Sequence, residues 1–378
     1  MPNNQRTNPL LLIGLPVALV LLLAFAYYQV TVSEPKKQSA QMTQNFAMLL
    51  TGLAKPVTNS LDPRYTDANG DLIADAPTDA TKVIDPQVIR FCYIATEDPE
   101  RYQVAFQPLM SSLSKAIGRP IEYAVYTSPE EQLRAVRDGQ LHITGLNTGA
   151  VPLAVNQAGF VPVAALANDT GSPFYETQIL TPVASSIRSA ADIKGRSLVL
   201  TDPSSNSGFK APLVHLSKNL NLLPERDYLV RYSGGQDQSV EFIAAGKLDD
   251  SPDFAVAVAS DFLTRAISRG TVSKDQFRVI DTLGKFPPAT FGYAHNLKPE
   301  LAAKIVEALA SLKFTGATAE EFAPSGQVGL APVQYKQDFE LVRRSDDLTG
   351  NDHTKALVIP EPAAVIEPTA EPTTAPGN

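Results

Sequence analysis

The chain has 378 residues, of which 44% are hydrophobic and 19% charged, with one cysteine and a formal net charge of -8. That is enough apolar chain for two lobes of ordinary size plus extensions, in the proportions of a globular protein. It excludes an intramolecular disulfide and, with no basic surplus, gives no ground for a nucleic-acid partner.

The first 32 residues differ in kind from the rest. Arg6 and the amino terminus precede an apolar run from Pro9 to Tyr28, interrupted only by Gly14 and Pro16. This is a targeting element rather than part of a fold. As a signal peptide it would end near Ala24-Phe25-Ala26; as a membrane anchor it is long enough to cross a bilayer, with Lys36 and Lys37 beyond it. The anchor is the preferred reading. No cysteine closely follows the run, which rules out a lipid-modified terminus, and both readings put the domain outside the cytoplasm. Residues 33–86 read as a polar stalk with one short helix at Gln41–Leu53. Within it, Asp67, Asn69, Asp71 and Asp75 carry the spacing of a calcium loop. The glycine, however, sits at the fourth position and the twelfth residue is not acidic, so a solvated turn is the preferred reading.

Regular structure is expected from Val88. Val88–Ala95 reads as a strand, Val104–Ile117 as an amphipathic helix ended by Gly118, and Pro120–Tyr126 as a second strand. Pro129–Asp138 is a helix capped by Ser128, with Glu131 completing a capping box, and Leu141–Gly145 is a third strand. Further on, Ile179–Val183 and Ser197–Thr201 are strands and Gly208–Leu222 a helix. Tyr228–Tyr232, Gln238–Ala245 and Phe254–Ala259 repeat strand, helix, strand. Arg278–Asp281 and Thr290–Ala294 are strands separated by an irregular stretch at 284–288, and Pro299–Leu312 is a late helix. Strands alternating with helices of this length imply α/β architecture with parallel pairing. The first segment has too few strands to close a lobe alone, so residues 290–345 are expected to return to it. The expected organisation is lobe one at 87–178 and 286–345, lobe two at 179–285, and a disordered Pro/Thr/Ala/Glu tail from 346.

The acidity belongs to the extensions. Asp62, Asp67, Asp71, Asp75, Asp79 and Asp85 face only Arg64 and Lys82 within 57–86, and the tail adds Glu361, Glu367 and Glu371. Setting those nine acids and two bases aside leaves 31 acidic and 30 basic residues, so the folded part is nearly neutral.

Two loops carry the chemistry. Thr201-Asp-Pro-Ser-Ser-Asn-Ser-Gly208 lies between a buried strand and a helix, and offers hydroxyls, an amide and backbone N–H groups at a helix N-terminus, where an anion is favoured. It lacks the Gly-Lys-Ser/Thr ending of a nucleotide loop, and an ordinary Ser-capped helix is the alternative. Tyr232-Ser-Gly-Gly-Gln-Asp-Gln-Ser-Val240 repeats the design one unit later, at the edge where open α/β sheets bind ligands; its alternative is a helix cap by Asp237 or Ser239. Leu146-Asn-Thr-Gly-Ala150, with Asn147 and Thr148, and Gly171-Ser-Pro-Phe-Tyr175 are weaker donor-bearing segments. Cys92 reads as a core residue. His142, His215, His295 and His353 lack metal-ligand spacing, and no cofactor is expected. Nothing marks an enzyme: there is no Gly-x-Ser-x-Gly elbow and no Cys/His pair. Asp202, Asp237 and Asp261 are available as an acid/base set, but the loops around them read as a donor cradle.

From about Val88 to Ser345 the chain resembles the phosphate/phosphite/phosphonate-binding family of ABC-transporter solute receptors, type II periplasmic binding proteins with two lobes, each a mixed sheet flanked by helices, and a ligand cleft between them. The resemblance rests on residues 133–143 (Leu-Arg-Ala-Val-Arg-Asp-Gly-Gln-Leu-His-Ile), on Ile193-Lys-Gly195 before Asp202–Gly208, on Ser233-Gly-Gly-Gln-Asp237 and on Ala259-Ser-Asp261, in the family's order. It implies a monomeric receptor of a small oxyanion that serves an ABC permease, with Ser205, Asn206 and Ser207 on the anion oxygens and Tyr175 closing over it. Gln236, Asp237, Asn147, Thr148 and Asp261 are the further expected ligand contacts. Three positions depart from the family: Pro129 where a tyrosine is usual, Gln236 where a histidine is common, and Ala289 near a usual acid. The last weighs against an amino-substituted phosphonate. A membrane-tethered sensor or partner-docking module on the same fold is the alternative function.

Overall fold

The computed structural model describes residues 61–349 except Pro203. Strands β1 (Ile89–Cys92), β2 (Ile121–Tyr123), β3 (Ile143–Leu146) and β4 (Phe160–Asn168) come first, with helices α1 (Pro99–Ala105), α2 (Gln107–Ile117) and α3 (Pro129–Arg137) between them. The chain then builds β5 (Tyr175–Pro182), β6 (Ser197–Leu200), α4 (Ala211–Leu220), β7 (Leu229–Tyr232), α5 (Gln236–Ala245), β8 (Phe254–Ala259), α6 (Ser260–Ser268) and β9 (Phe277–Phe286). It finishes with β10 (Thr290–Ala294), α7 (Pro299–Ala310), α8 (Gly316–Phe322), β11 (Gln327–Pro332) and α9 (Glu340–Thr349).

Two mixed sheets result. The first runs β11-β4-β10-β3-β1-β2 and the second β7-β6-β8-β5-β9. In each, the strands joined by crossover helices are parallel: β1 with β2 and β3, and β6 with β7 and β8. The returning strands are antiparallel: β10 on β3 and β4, and β5 on β8 and β9. The chain passes between the sheets at 169–174 and 287–289, so the second sheet begins at Tyr175, four residues before the expected boundary. Lobe one packs Phe91, Tyr102, Phe106, Phe291 and Phe322 around one side of its sheet. In lobe two, Leu198 and Leu200 face α4 while Val199, Val256 and Val258 face α5 and α6. Neighbouring residues of a strand thus feed opposite cores, as the pleat requires.

Several expected elements moved. The helix expected at Val104–Ile117 is two: Asp98 caps α1, accepting from the N–H groups of Glu100 and Arg101, and the chain breaks at Phe106 before Pro108. β4 was not expected at all, since Pro162 argues against a central strand. The structure accommodates it at a register shift opposite Gly292, where a Cβ would lie 2.1 Å from the Val161 carbonyl oxygen. The stretch expected to be irregular from 284 is largely the end of β9.

Both extensions are shorter than expected. Residues 61–85 lie along lobe one rather than standing free. The Asp62 N–H donates to the Asn156 carbonyl, the Tyr65 hydroxyl to that of Gln157, and Lys336 Nζ to that of Gly70. Leu61, Leu72 and Ile73 pack on the lobe-one core. The calcium-loop residues serve this segment's own backbone: Asp67 accepts from the N–H groups of Gly70, Asp71 and Leu72, Asp71 from Ile73, and Asp75 from Ala68. Asn69 Nδ2 donates to Asp71. These are the contacts of a self-capped turn, and among the described residues no group of three or more His, Cys, Asp or Glu forms a candidate metal site. At the other end α9 continues to Thr349, and Asp346, expected in the tail, is fully buried against Lys210. The apolar run at 9–28 and the helix expected at Gln41–Leu53 lie outside the described residues; among those described, no helix is long and apolar enough to cross a membrane.

Candidate functional site

The C-terminal ends of the parallel strands of both sheets meet at one cavity of about 70 Å³. By this measure a water occupies roughly 10–15 Å³, so the cavity takes about five water-sized atoms. Lobe one contributes Thr96 and Glu97 after β1 and Asn147 and Thr148 after β3; lobe two contributes Thr201–Ser207 after β6, Gly234–Gln236 after β7 and Asp261 and Arg265 from α6. Tyr175, at the first crossing, and Pro288 and Ala289, at the second, complete the wall.

The donor cradle is built by a tight helical turn at Asn206–Lys210 that runs into α4. Ser205 caps it, its Oγ accepting from the Gly208 N–H at 3.1 Å. The first N–H groups of such a turn, those of Asn206 and Ser207, have no intrahelical acceptor. Gly208 has to be glycine, because a Cβ there would sit 2.0 Å from Thr201 Oγ1. Asn206 Nδ2 donates to the Tyr175 hydroxyl at 3.1 Å, which ties the cradle to the crossing strand. Gln236 is locked from both ends: Nε2 donates to Ser207 Oγ at 3.2 Å, and Oε1 accepts from the Ala259 N–H at 3.0 Å.

Across the cleft, Asn147 Nδ2 donates to Ser204 Oγ at 3.4 Å, and Thr148 Oγ1 to the Pro287 carbonyl at 2.6 Å. The lobes are closed on one another here. A Cβ on Gly149 would fall 2.0 Å from the Ser204 carbonyl oxygen. Lys210 Nζ reaches the Gly149 carbonyl at 2.6 Å while pairing with Asp346, both side chains being almost wholly buried.

Three buried polar atoms of the lining have no partner: Thr201 Oγ1, Asn206 Oδ1 and Glu97 Oε2. Buried polar groups are seldom left so, and two of these three are acceptors, which suit a ligand that itself carries a proton. Burial, reinforced by Asp237, pushes the Glu97 carboxyl up to about 7. Burial likewise raises Asp202 and moves the Tyr175 hydroxyl up to about 12, against the pull of its bonds with Thr148 and Asn206. Cys92 lies outside the cavity; burial takes its thiol up to about 12, leaving it inert at neutral pH.

Of the residues singled out from sequence, Ser205, Asn206, Ser207, Tyr175, Gln236, Asn147, Thr148 and Asp261 all line this cavity. Asp237 does not. One step of helix beyond Gln236, it turns away to the cleft mouth and pairs with Arg101 and Arg269. Glu97 and Arg265 were missed. Arg265 is four residues along α6 from Asp261, one turn further on the same face, and Nη1 holds Asp261 at 3.4 Å and Gln327 at 3.1 Å. Ala289 does line the wall, but Glu97, Asp202 and Asp261 supply carboxyls nearby. The argument from Ala289 against a cationic substituent therefore does not hold.

Comparison with known proteins agrees with this architecture. Residues 91–339 match the family model described as the periplasmic substrate-binding protein of ABC phosphonate transporters. A binding-protein component of an ABC phosphonate transporter from Pseudomonas aeruginosa is similar at a TM-score of 0.59 and 18% identity, over 69% of this chain and 88% of that one. A Prochlorococcus marinus protein in complex with methylphosphonate gives 0.58 and 12%, over 71% and 100%. A Xanthomonas citri protein bound to ATP gives 0.57 and 16%, over 71% and 100%. At such identities the structures speak to the fold, while the family match spans about two-thirds of the sequence and carries with it an extracytoplasmic, non-enzymatic role. The chain belongs to the periplasmic substrate-binding family of ABC phosphonate transporters.

Proposed function

We propose that the chain captures a small phosphorus oxyanion (phosphate, phosphite or a short phosphonate) between its lobes and presents it to an ABC permease. In this reading Ser205, Asn206 and Ser207 donate to the anion oxygens, Tyr175 covers them, and Arg265 supplies the nearby positive charge. The observation that carries it is the convergence of the Asn206–Ser207 helix N-terminus with Tyr175 and Arg265 on a cavity of about 70 Å³, the size of a tetrahedral oxyanion with at most a small substituent. The methylphosphonate held by the Prochlorococcus marinus protein is a ligand of that size. The unpartnered acceptors Asn206 Oδ1 and Glu97 Oε2 favour a protonated oxyanion, or one with an ammonium substituent, over sulfate, which has no hydrogen to donate. The apolar run at 9–28 would keep the receptor at the outer face of the membrane, beside its permease.

Titration calorimetry of the full-length chain against phosphate, phosphite, methylphosphonate and aminoethylphosphonate, with sulfate as control, tests this. Micromolar or tighter binding of at least one phosphorus oxyanion, with sulfate far weaker, is the expected result. If none of them bound below the millimolar range, or if sulfate bound as well as the best, the reading would be wrong.

A further inference from the structure

The mouth of the cleft is crossed by charges that stay outside the cavity. Arg101, on α1 of lobe one, places Nη2 at 3.4 Å from Asp237 Oδ2 on lobe two. Arg269, just past α6 of lobe two, places Nη2 at 3.4 Å from the other oxygen of Asp237 and Nη1 at 3.1 Å from Glu321 Oε1, on α8 of lobe one. The row Arg101–Asp237–Arg269–Glu321 therefore passes from one lobe to the other and back. Beside it, Arg265 of lobe two donates to Ser325 Oγ and Gln327 Oε1 of lobe one, and Gln327 Nε2 returns a bond to Asp261 at 3.0 Å.

We propose that this row is a clasp, and that Asp237 is its positioning residue: it sets ligand affinity by holding the lobes together, without touching the ligand. Only the closed protein presents a complete cavity, so the observed dissociation constant is the intrinsic one divided by the closed fraction. Contacts made only on closure raise that fraction. The four side chains keep between 11% and 27% of their exposure, enough shielding for the attraction to exceed that of free surface pairs and enough water for salt to weaken it. Opening returns all four charges to solvent, so nothing is stranded when the clasp releases.

The affinity arm of the test rests on the proposed ligand class; the closure arm does not. The full-length chain would carry one fluorescent label per lobe, with energy transfer read in the absence of ligand at low and high salt, for wild type, Asp237→Asn, Asp237→Glu and Arg101→Gln. The wild type should open as salt rises, Asp237→Asn and Arg101→Gln should be open at both salts, and Asp237→Glu should restore closure. Unfolding temperatures of the four should agree within a few degrees. Affinity of Asp237→Asn for phosphate or methylphosphonate should fall on the order of tenfold, through faster dissociation. A shift in closure with no oxyanion bound would keep the clasp and remove the ligand reading. Unchanged energy transfer in Asp237→Asn and Arg101→Gln at both salts would remove the clasp, whatever binds.

Discussion

Replacing Ser207 with alanine separates an anion cradle from an ordinary capped helix. Ser207 Oγ accepts from Gln236 Nε2 at 3.2 Å, an arrangement that leaves the hydroxyl hydrogen for a third group, and the side chain is 4% exposed on the cavity wall. A hydrogen bond to a charged partner contributes about 1.5–3 kcal/mol, so Ser207→Ala should raise the dissociation constant by roughly one to two orders of magnitude. The folded protein itself loses only the neutral bond from Gln236, about 1 kcal/mol, which moves the unfolding temperature of a protein this size by a few degrees at most. Ser205→Ala should behave differently. Its Oγ accepts from the Gly208 N–H, so the substitution also removes a helix cap and costs about 1 kcal/mol of stability. Calorimetry with the best ligand at fixed salt, paired with thermal melts, reads both quantities. Binding by Ser207→Ala within threefold of wild type would refute the cradle, because a desolvated anion cannot lose a donor without effect.

Three other outcomes follow from the same geometry. The Glu97 carboxyl, raised to about 7 by burial, is easier to protonate folded than unfolded. Its contribution to stability is thus present below its ordinary value near 4.5 and is lost as pH rises through 7. Glu97→Gln should therefore gain on wild type, by about 3 kcal/mol at most, between about pH 5 and about pH 8; a constant difference in denaturant titrations would contradict this. Gly149→Ala puts a Cβ 2.0 Å from the Ser204 carbonyl oxygen and 2.7 Å from the Asn206 nitrogen of the facing lobe. It should weaken binding between about ten- and a hundredfold while far-ultraviolet dichroism stays native, and unaltered affinity would show that closure at this point is dispensable. Tyr175→Phe deprives Asn206 Nδ2 of its acceptor at 3.1 Å but keeps the ring, so affinity should drop about two- to tenfold; no change by calorimetry would mean Asn206 is oriented by other contacts.

The parts of the site legible in the sequence are those encoded locally. A strand that ends in Thr201 and a helix that opens at Asn206 fix the cradle through neighbouring residues, and the Gly234-Gly235-Gln236 loop is built the same way. Asp237 shows the limit of that reading, since consecutive helical residues point about 100° apart and only one of the pair can face the cleft. Glu97 and Arg265 depend on packing between lobes, which no spacing announces; the one clue to Arg265 was its place one turn after Asp261. β4 was hidden by Pro162, which a register shift tolerates. The ends of the fold were misjudged because residues 61–85 are polar in composition yet anchored by a few apolar side chains and backbone bonds.

Lys210 decides where this gene may be cut. Its ammonium lies at the root of the cradle, 2% exposed, held by the Gly149 carbonyl and by Asp346 on the final helix. Composition alone recommends a fragment ending at 345, one residue short of that partner. Such a truncation would strand a cation in a water-free niche, at a cost of about 3–5 kcal/mol, within a normal margin of 5–15 kcal/mol for a folded protein. The damage would surface as weak or absent ligand binding, and a recombinant library trimmed to the visible lobes would record a competent receptor as an inert one.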